Sequence, residues 1–121
     1  MARREEFLSA LRLEFPNALA GLGDGLHGLI HLEVAAFRRT VEEAVRDGRF
    51  WYVEKSFRLV EEYVDGSGDD VDNALGVSFL EDFALFGFSR AEILEVLPRL
   101  SRRMQDELRK HGEQWSGKPA T

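Results

Sequence analysis

Val71-Asp-Asn-Ala-Leu75-Gly-Val-Ser-Phe-Leu80-Glu-Asp-Phe-Ala-Leu-Phe86 is the stretch on which the reading of this chain turns. Its apolar residues Val71, Leu75, Val77, Phe79, Leu80, Phe83 and Leu85 recur at helical spacing but point nearly all round the axis. A surface helix confines such residues to one stripe. The spacing therefore predicts a helix over 71–86 that is the central and most enclosed element. A helix covered on most sides needs several others around it, and the flanking sequence supplies them.

Upstream lies the turn cluster Asp65-Gly-Ser-Gly-Asp-Asp70, preceded by a helix expected from Phe50 to Val64 with Phe50, Val53, Phe57, Val60 and Val64 on one face. Asp47-Gly48 closes a further helix, Leu26 to Arg46, whose stripe is Leu26, Leu29, Ile30, Phe37, Val41, Ala44 and Val45. Glycine at that position suits the left-handed conformation that ends helices. The first helix, Arg3 to Glu14, buries Phe7, Leu8, Leu11 and Phe15 and stops at Pro16, since proline lacks the amide hydrogen and restricts its predecessor. Downstream, Gly87-Phe88 breaks the central helix. Ser89-Arg-Ala-Glu92 matches a capping box and opens a short helix to Val96. Another helix is expected from Pro98, with Leu100, Met104 and Leu108 as its inner seam. The fold class is all-α: a five- to six-helix bundle or a short α-α solenoid-like stack of helical hairpins. Residues 1–112 form one domain, and residues 113–121, with Gly117 and Pro119, a flexible tail.

With 121 residues, 44% of them hydrophobic, the chain has the size and composition of a single globular domain. Sixteen bases against 22 acids leave a net charge of −6. That balance speaks against nucleic acid, which calls for a basic face. No apolar run approaches the roughly 18–20 residues that cross a bilayer, and no signal-peptide pattern is present, so no membrane association is expected. Cysteine is absent, which rules out thiolate chemistry and suits a reducing compartment, so the expected location is the cytoplasm. The charge is also segregated. Residues 59–89 hold eight acids (Glu61, Glu62, Asp65, Asp69, Asp70, Asp72, Glu81 and Asp82) and no lysine or arginine.

Several residues could carry chemistry. His27 and His31 stand four apart, as a helical pair of metal ligands would, with His111, Glu33 or the acidic loop as further donors. The plain alternative is two boundary histidines in ordinary hydrogen bonds. Glu33 falls on the apolar stripe of its helix and must be paired, hydrogen-bonded or protonated if buried. It is either a polar clip between helices, with Arg58, Tyr63, Asn73, Ser78 or a helix N-terminal amide as partner, or a pocket-lining carboxylate. The loop from Asp65 fails as a calcium loop: its sixth position is Asp70 and its twelfth Gly76, where glycine and glutamate are required. Its carboxylates either cap the next helix or face a partner. Gly23-Asp-Gly25-Leu-His-Gly28 spells a dinucleotide fingerprint without the strand that must precede it. Arg99, Arg102, Arg103, Arg109 and Lys110 are interrupted by Asp106 and Glu107, which favours pairing within the helix or with the acidic segment. Trp51 falls off the inner face of its helix, as an interface anchor or a residue packed on a neighbouring loop.

The segments Leu29-Ile-His-Leu-Glu-Val-Ala-Ala-Phe37 and Asp72-Asn-Ala-Leu-Gly-Val-Ser-Phe-Leu-Glu-Asp82 resemble stretches of a family of small bacterial all-helical proteins of unknown function, over residues 5–111. The resemblance implies no activity and transfers no catalytic residue. Some members occur near secreted-toxin systems, which implies immunity- or adaptor-like roles. It also makes Glu33, Asn73, Ser78, Phe79 and Glu81 the first choices for a shared polar feature. The resulting expectation is a non-enzymatic interaction module without a cofactor. It would meet a basic protein partner through Asp65, Asp69, Asp70, Asp72 and Trp51, with Glu33, Asn73, Ser78 and Glu81 as buried polar or pocket residues. The alternative is a metal or small-ligand site centred on His27, His31 and Glu33. Self-association through Trp51 and its aromatic neighbours, giving a homodimer, stays open.

Overall fold

A computed structural model describes residues 3–20, 22, 28–85 and 88–115. It is an all-α bundle, with no strand among the described residues. Helix α1 spans Arg3–Glu14, α2 Ile30–Asp47, α3 Phe50–Tyr63, α5 Arg90–Val96 and α6 Arg102–Trp115. Between α3 and α5 runs α4, residues 70–85, one rod with three segments: α-helical at Asp70–Ala74, π-helical at Leu75–Glu81 and α-helical again at Asp82–Leu85.

The local signals act as expected at most ends. Gly48 adopts φ 75° and donates to Val45 O, while Arg49 N donates to Ala44 O, so α2 closes on a left-handed glycine. Asp69 caps α4 by accepting from Asp72 N, and the Ser89–Glu92 capping box is complete in both directions. Three expectations need correction. Helix α2 begins at Ile30, and Leu29 is its N-cap residue, 51% exposed and outside the inner stripe; Leu26 lies outside the described residues. Pro98 sits in a 3-10 turn, Leu97–Arg99, and Leu100 is extended after it. The last helix therefore starts at Arg102, where Ser101 Oγ accepts from Met104 N. Helix α6 ends at Trp115.

Helix α4 is the centre of the bundle, packed against α1, α2 and α6. Leu75 and Phe79 of the π segment and Phe83 just beyond it are all buried. Phe79 meets the rings of Phe37 on α2 at 5.3 Å, Phe57 on α3 at 5.3 Å and Phe83 at 5.8 Å. The chain of rings continues from Phe37 to Phe15 and from Phe83 to Phe88. A core phenylalanine at such a junction is worth about 3–5 kcal/mol against alanine. Enclosure is nonetheless incomplete: Val77 is 51% exposed. The contact of α1 with α4, far apart in sequence, makes this a closed bundle rather than a row of hairpins that touch only their neighbours.

Candidate functional site

Two polar systems flank α2, on different sides of it. The first joins α2 to the π segment of α4. Arg38, only 6% exposed, donates through Nε to Glu42 Oε2 at 3.1 Å and through Nη1 to the Ser78 carbonyl and Asp82 Oδ2, both at 3.0 Å. One guanidinium thus closes a buried i,i+4 pair and meets a backbone carbonyl of the π segment. Burial pushes the Glu42 carboxyl above its ordinary range, and the Arg38 charge opposes that shift. Seven residues before Arg38 on the same side of α2, His31 places Nδ1 2.8 Å from Ser78 Oγ, so Ser78 is held by α2 through both side chain and carbonyl.

The second system holds α1. Glu33 is fully buried (0% exposed), and its nearest cations are Arg4 Nη2 and Arg12 Nη2, each at 3.9 Å. Neither carboxylate oxygen has a hydrogen-bond partner among the described residues. The charge is balanced at ion-pair range but not clasped. The partners expected for Glu33 were Arg58, Tyr63, Asn73, Ser78 or a helix N-terminal amide; the structure supplies two arginines of α1 instead. His31 and Glu33, two apart on α2, face different ways, as that spacing requires. The structure does not bring them together. His27 and the His111 side chain lie outside the described residues, as does most of the glycine-rich segment. Among the described residues no group of three or more His, Cys, Asp or Glu side chains is arranged to hold a metal ion.

The acidic stretch is partly answered from within. Arg3 pairs with Asp65 at 2.6 Å and Asp69 at 2.7 Å and donates to the Tyr63 carbonyl; Arg4 pairs with Asp70 at 3.5 Å. Asp65 is held below the ordinary aspartate range, first by the Ser67 backbone amide and also by Arg3. Asp72 accepts from the amides of Gly66 and Gly68, both at positive φ (78° and 77°), which is why this turn needs glycine there. Asn73 Nδ2 donates to the Gly68 carbonyl, fixing the turn to α4. Arg103 of α6 reaches the Glu61 carbonyl, while Arg99 pairs with Glu54 and Arg109 with Asp106. Arg103 of α6 therefore ties to α3, Arg109 pairs within α6, and it is α1 that neutralises the acidic loop.

Asp72 and Glu81 of the acidic stretch border an open groove of about 440 Å³. One wall is α4, with Asp72, Asn73, Gly76, Val77 and Glu81; the other is α6, with Arg103, Glu107 and Lys110; the turn at Val64, Asp65 and Gly66 closes one end. The structure thus gathers Asp65, Asp72, Asn73 and Glu81 here. Asp69 and Asp70 face α1, and Ser78 and Glu33 meet α2's two polar systems. Trp51 stands apart on α3, 64% exposed, with its ring edge-on to Tyr52 at 5.8 Å. Sequence reasoning missed Arg3, Arg4, Arg12 and Arg38. A signal for the first two existed: a doubled arginine at the start of an amphipathic helix, in a chain with a base-free acidic run.

Fold and site together define a small all-α bundle with a charged inter-helix groove. The chain belongs to the family described as "Domain of unknown function (DUF7674)", whose model matches residues 8–116. No curated protein and no solved structure shows significant similarity to the chain. No helix among the described residues is long and apolar enough to cross a membrane.

Proposed function

We propose that this chain is a non-enzymatic protein-interaction module, immunity- or adaptor-like, whose acidic face between α3 and α4 receives a basic protein partner. The observation that carries this reading is which carboxylates are left over. Arg3 and Arg4 answer Asp65, Asp69 and Asp70, and Arg38 answers Asp82. Glu61, Glu62 and Glu81 form no ion pair among the described residues. Carboxylates without an internal counter-charge steer a partner of the opposite sign and raise its association rate. The cysteine-free composition suits a reducing compartment, and the reading places the protein in the cytoplasm.

The test is affinity capture from the native host with mass spectrometry, comparing the wild-type chain with the triple variant E61K/E62K/E81K. These positions are preferable to Asp65, Asp69 and Asp70, whose reversal would also unseat α1. The expected result is a basic protein retained by the wild type, lost from the variant, and weakened by salt, which screens exposed charge beyond about 10 Å at 0.1 M. Recovery of the same partners by both chains would refute the reading.

A further inference from the structure

Gly76 stands inside α4, where glycine is disfavoured against alanine. A glycine in a packed helix is normally there because a neighbour comes too close for a side chain. At Gly76 nothing does: a Cβ added there meets no atom within 4 Å, and its backbone is not in the left-handed region. The fold does not require the missing side chain, and the space it leaves belongs to the groove between α4 and α6. Next to it, Val77 offers a half-exposed apolar surface, and one turn further Glu81 offers a half-buried carboxylate without an ion pair or hydrogen bond among the described residues.

An apolar strip ending at a free carboxylate fits one kind of side chain: a long alkyl stem with a cationic head. We propose that a lysine or arginine of a protein partner lays its stem across Gly76 and Val77 and sets its cation on Glu81. This rests on the interaction reading above and narrows it to a seat. The opposite wall is of mixed sign, Arg103 and Lys110 with Glu107 between them. The occupant is a partner segment with its lysine or arginine on the side facing α4, where Glu81 supplies the attraction.

The test is amide NMR of the full chain titrated with an alanine-based helical peptide bearing lysines on one face. Its glutamate counterpart and spermidine are controls. Wild type should show shifts at residues 76, 77 and 81 with the lysine peptide only. G76A and G76L should remain folded by circular dichroism, and G76L and E81K should each weaken binding at least tenfold. E43K, at an exposed position of α2 outside the groove, should not. If E61K/E62K abolishes binding while G76L and E81K leave it intact, the seat is wrong and the acidic-face reading survives. Equal binding by all variants, or binding of the glutamate peptide, overturns both. No shift at these residues with the lysine peptide, or shifts there with spermidine alone, overturns the protein-segment seat.

Discussion

Replacing Arg38 by methionine tests the junction of α2 with the π segment most sharply. The guanidinium is 6% exposed and its partner Glu42 3% exposed, so the variant strands a buried carboxylate and leaves the Ser78 carbonyl unmet. Removing one member of such a pair costs about 3–5 kcal/mol. Arg46 and Arg39 also favour the Glu42 charge, which argues for the lower end, about 3 kcal/mol. For a domain of this size that lowers Tm by roughly 10–15 °C. The double variant R38M/E42L removes the stranded charge with its partner. It should sit within about 1–2 kcal/mol of wild type, a coupling of at least about 1 kcal/mol in a double-mutant cycle.

The pH dependence gives a second readout. Burial already raises the Glu42 pKa, and Arg38 is the leading influence against that rise. Without Arg38 the folded state holds the Glu42 proton still more tightly than the unfolded chain does. Stability then increases as pH falls from the raised folded value toward the ordinary carboxylate range. R38M should accordingly be weakest at pH 8 and recover part of its deficit by pH 5.5, in urea melts run against wild type at both pH values. A deficit that is equal at the two pH values, or additive losses in the cycle, would sink the assignment of Glu42 as the stranded group.

Gly76→Ala should raise stability by about 0.5–1 kcal/mol in urea unfolding, because the added methyl enters open space and restricts the unfolded chain; a loss would show that the groove floor is already filled. Glu33→Gln should change stability by no more than about 1 kcal/mol in either direction. Its pairs with Arg4 and Arg12 are long and carry no hydrogen bond, so a loss above about 3 kcal/mol in thermal melts would refute that view. Asp65, followed by NMR of its carboxyl carbon, should titrate below the ordinary aspartate range and rise only part of the way in Arg3→Ala, since the Ser67 amide is the larger cause. Any stability it lends is present above its unfolded pKa and fades as pH drops through the lower folded one.

Much of the bundle was legible in the chain because helices advertise themselves locally. Phe7, Leu8 and Leu11 mark the buried face of α1, Gly48 its neighbour's end, and Ser89 with Glu92 a start, each through interactions among residues a few positions apart. Pro98 misled because a proline that suits a first helical turn also suits a 3-10 turn; the choice fell to Ser101, which caps α6 three residues later. The π segment could not be read at all, since its residues fit α spacing equally well.

The site was legible in kind and not in arrangement. The base-free acidic run from 59 to 89 is a property of the sequence alone, as is the need of Glu33 for a counter-charge if buried. Which cations answer which acids was decided by packing. Arg3 and Arg4 are more than 60 residues from Asp65 and Asp70, and they meet only because α1 lies against α4. The same packing pairs Asp65, Asp69 and Asp70 with α1 and leaves Glu81 beside the open space at Gly76. Composition sets how much charge a chain carries. Only the tertiary fold, by bringing distant helices within ion-pair range, sets how much of it remains for a partner.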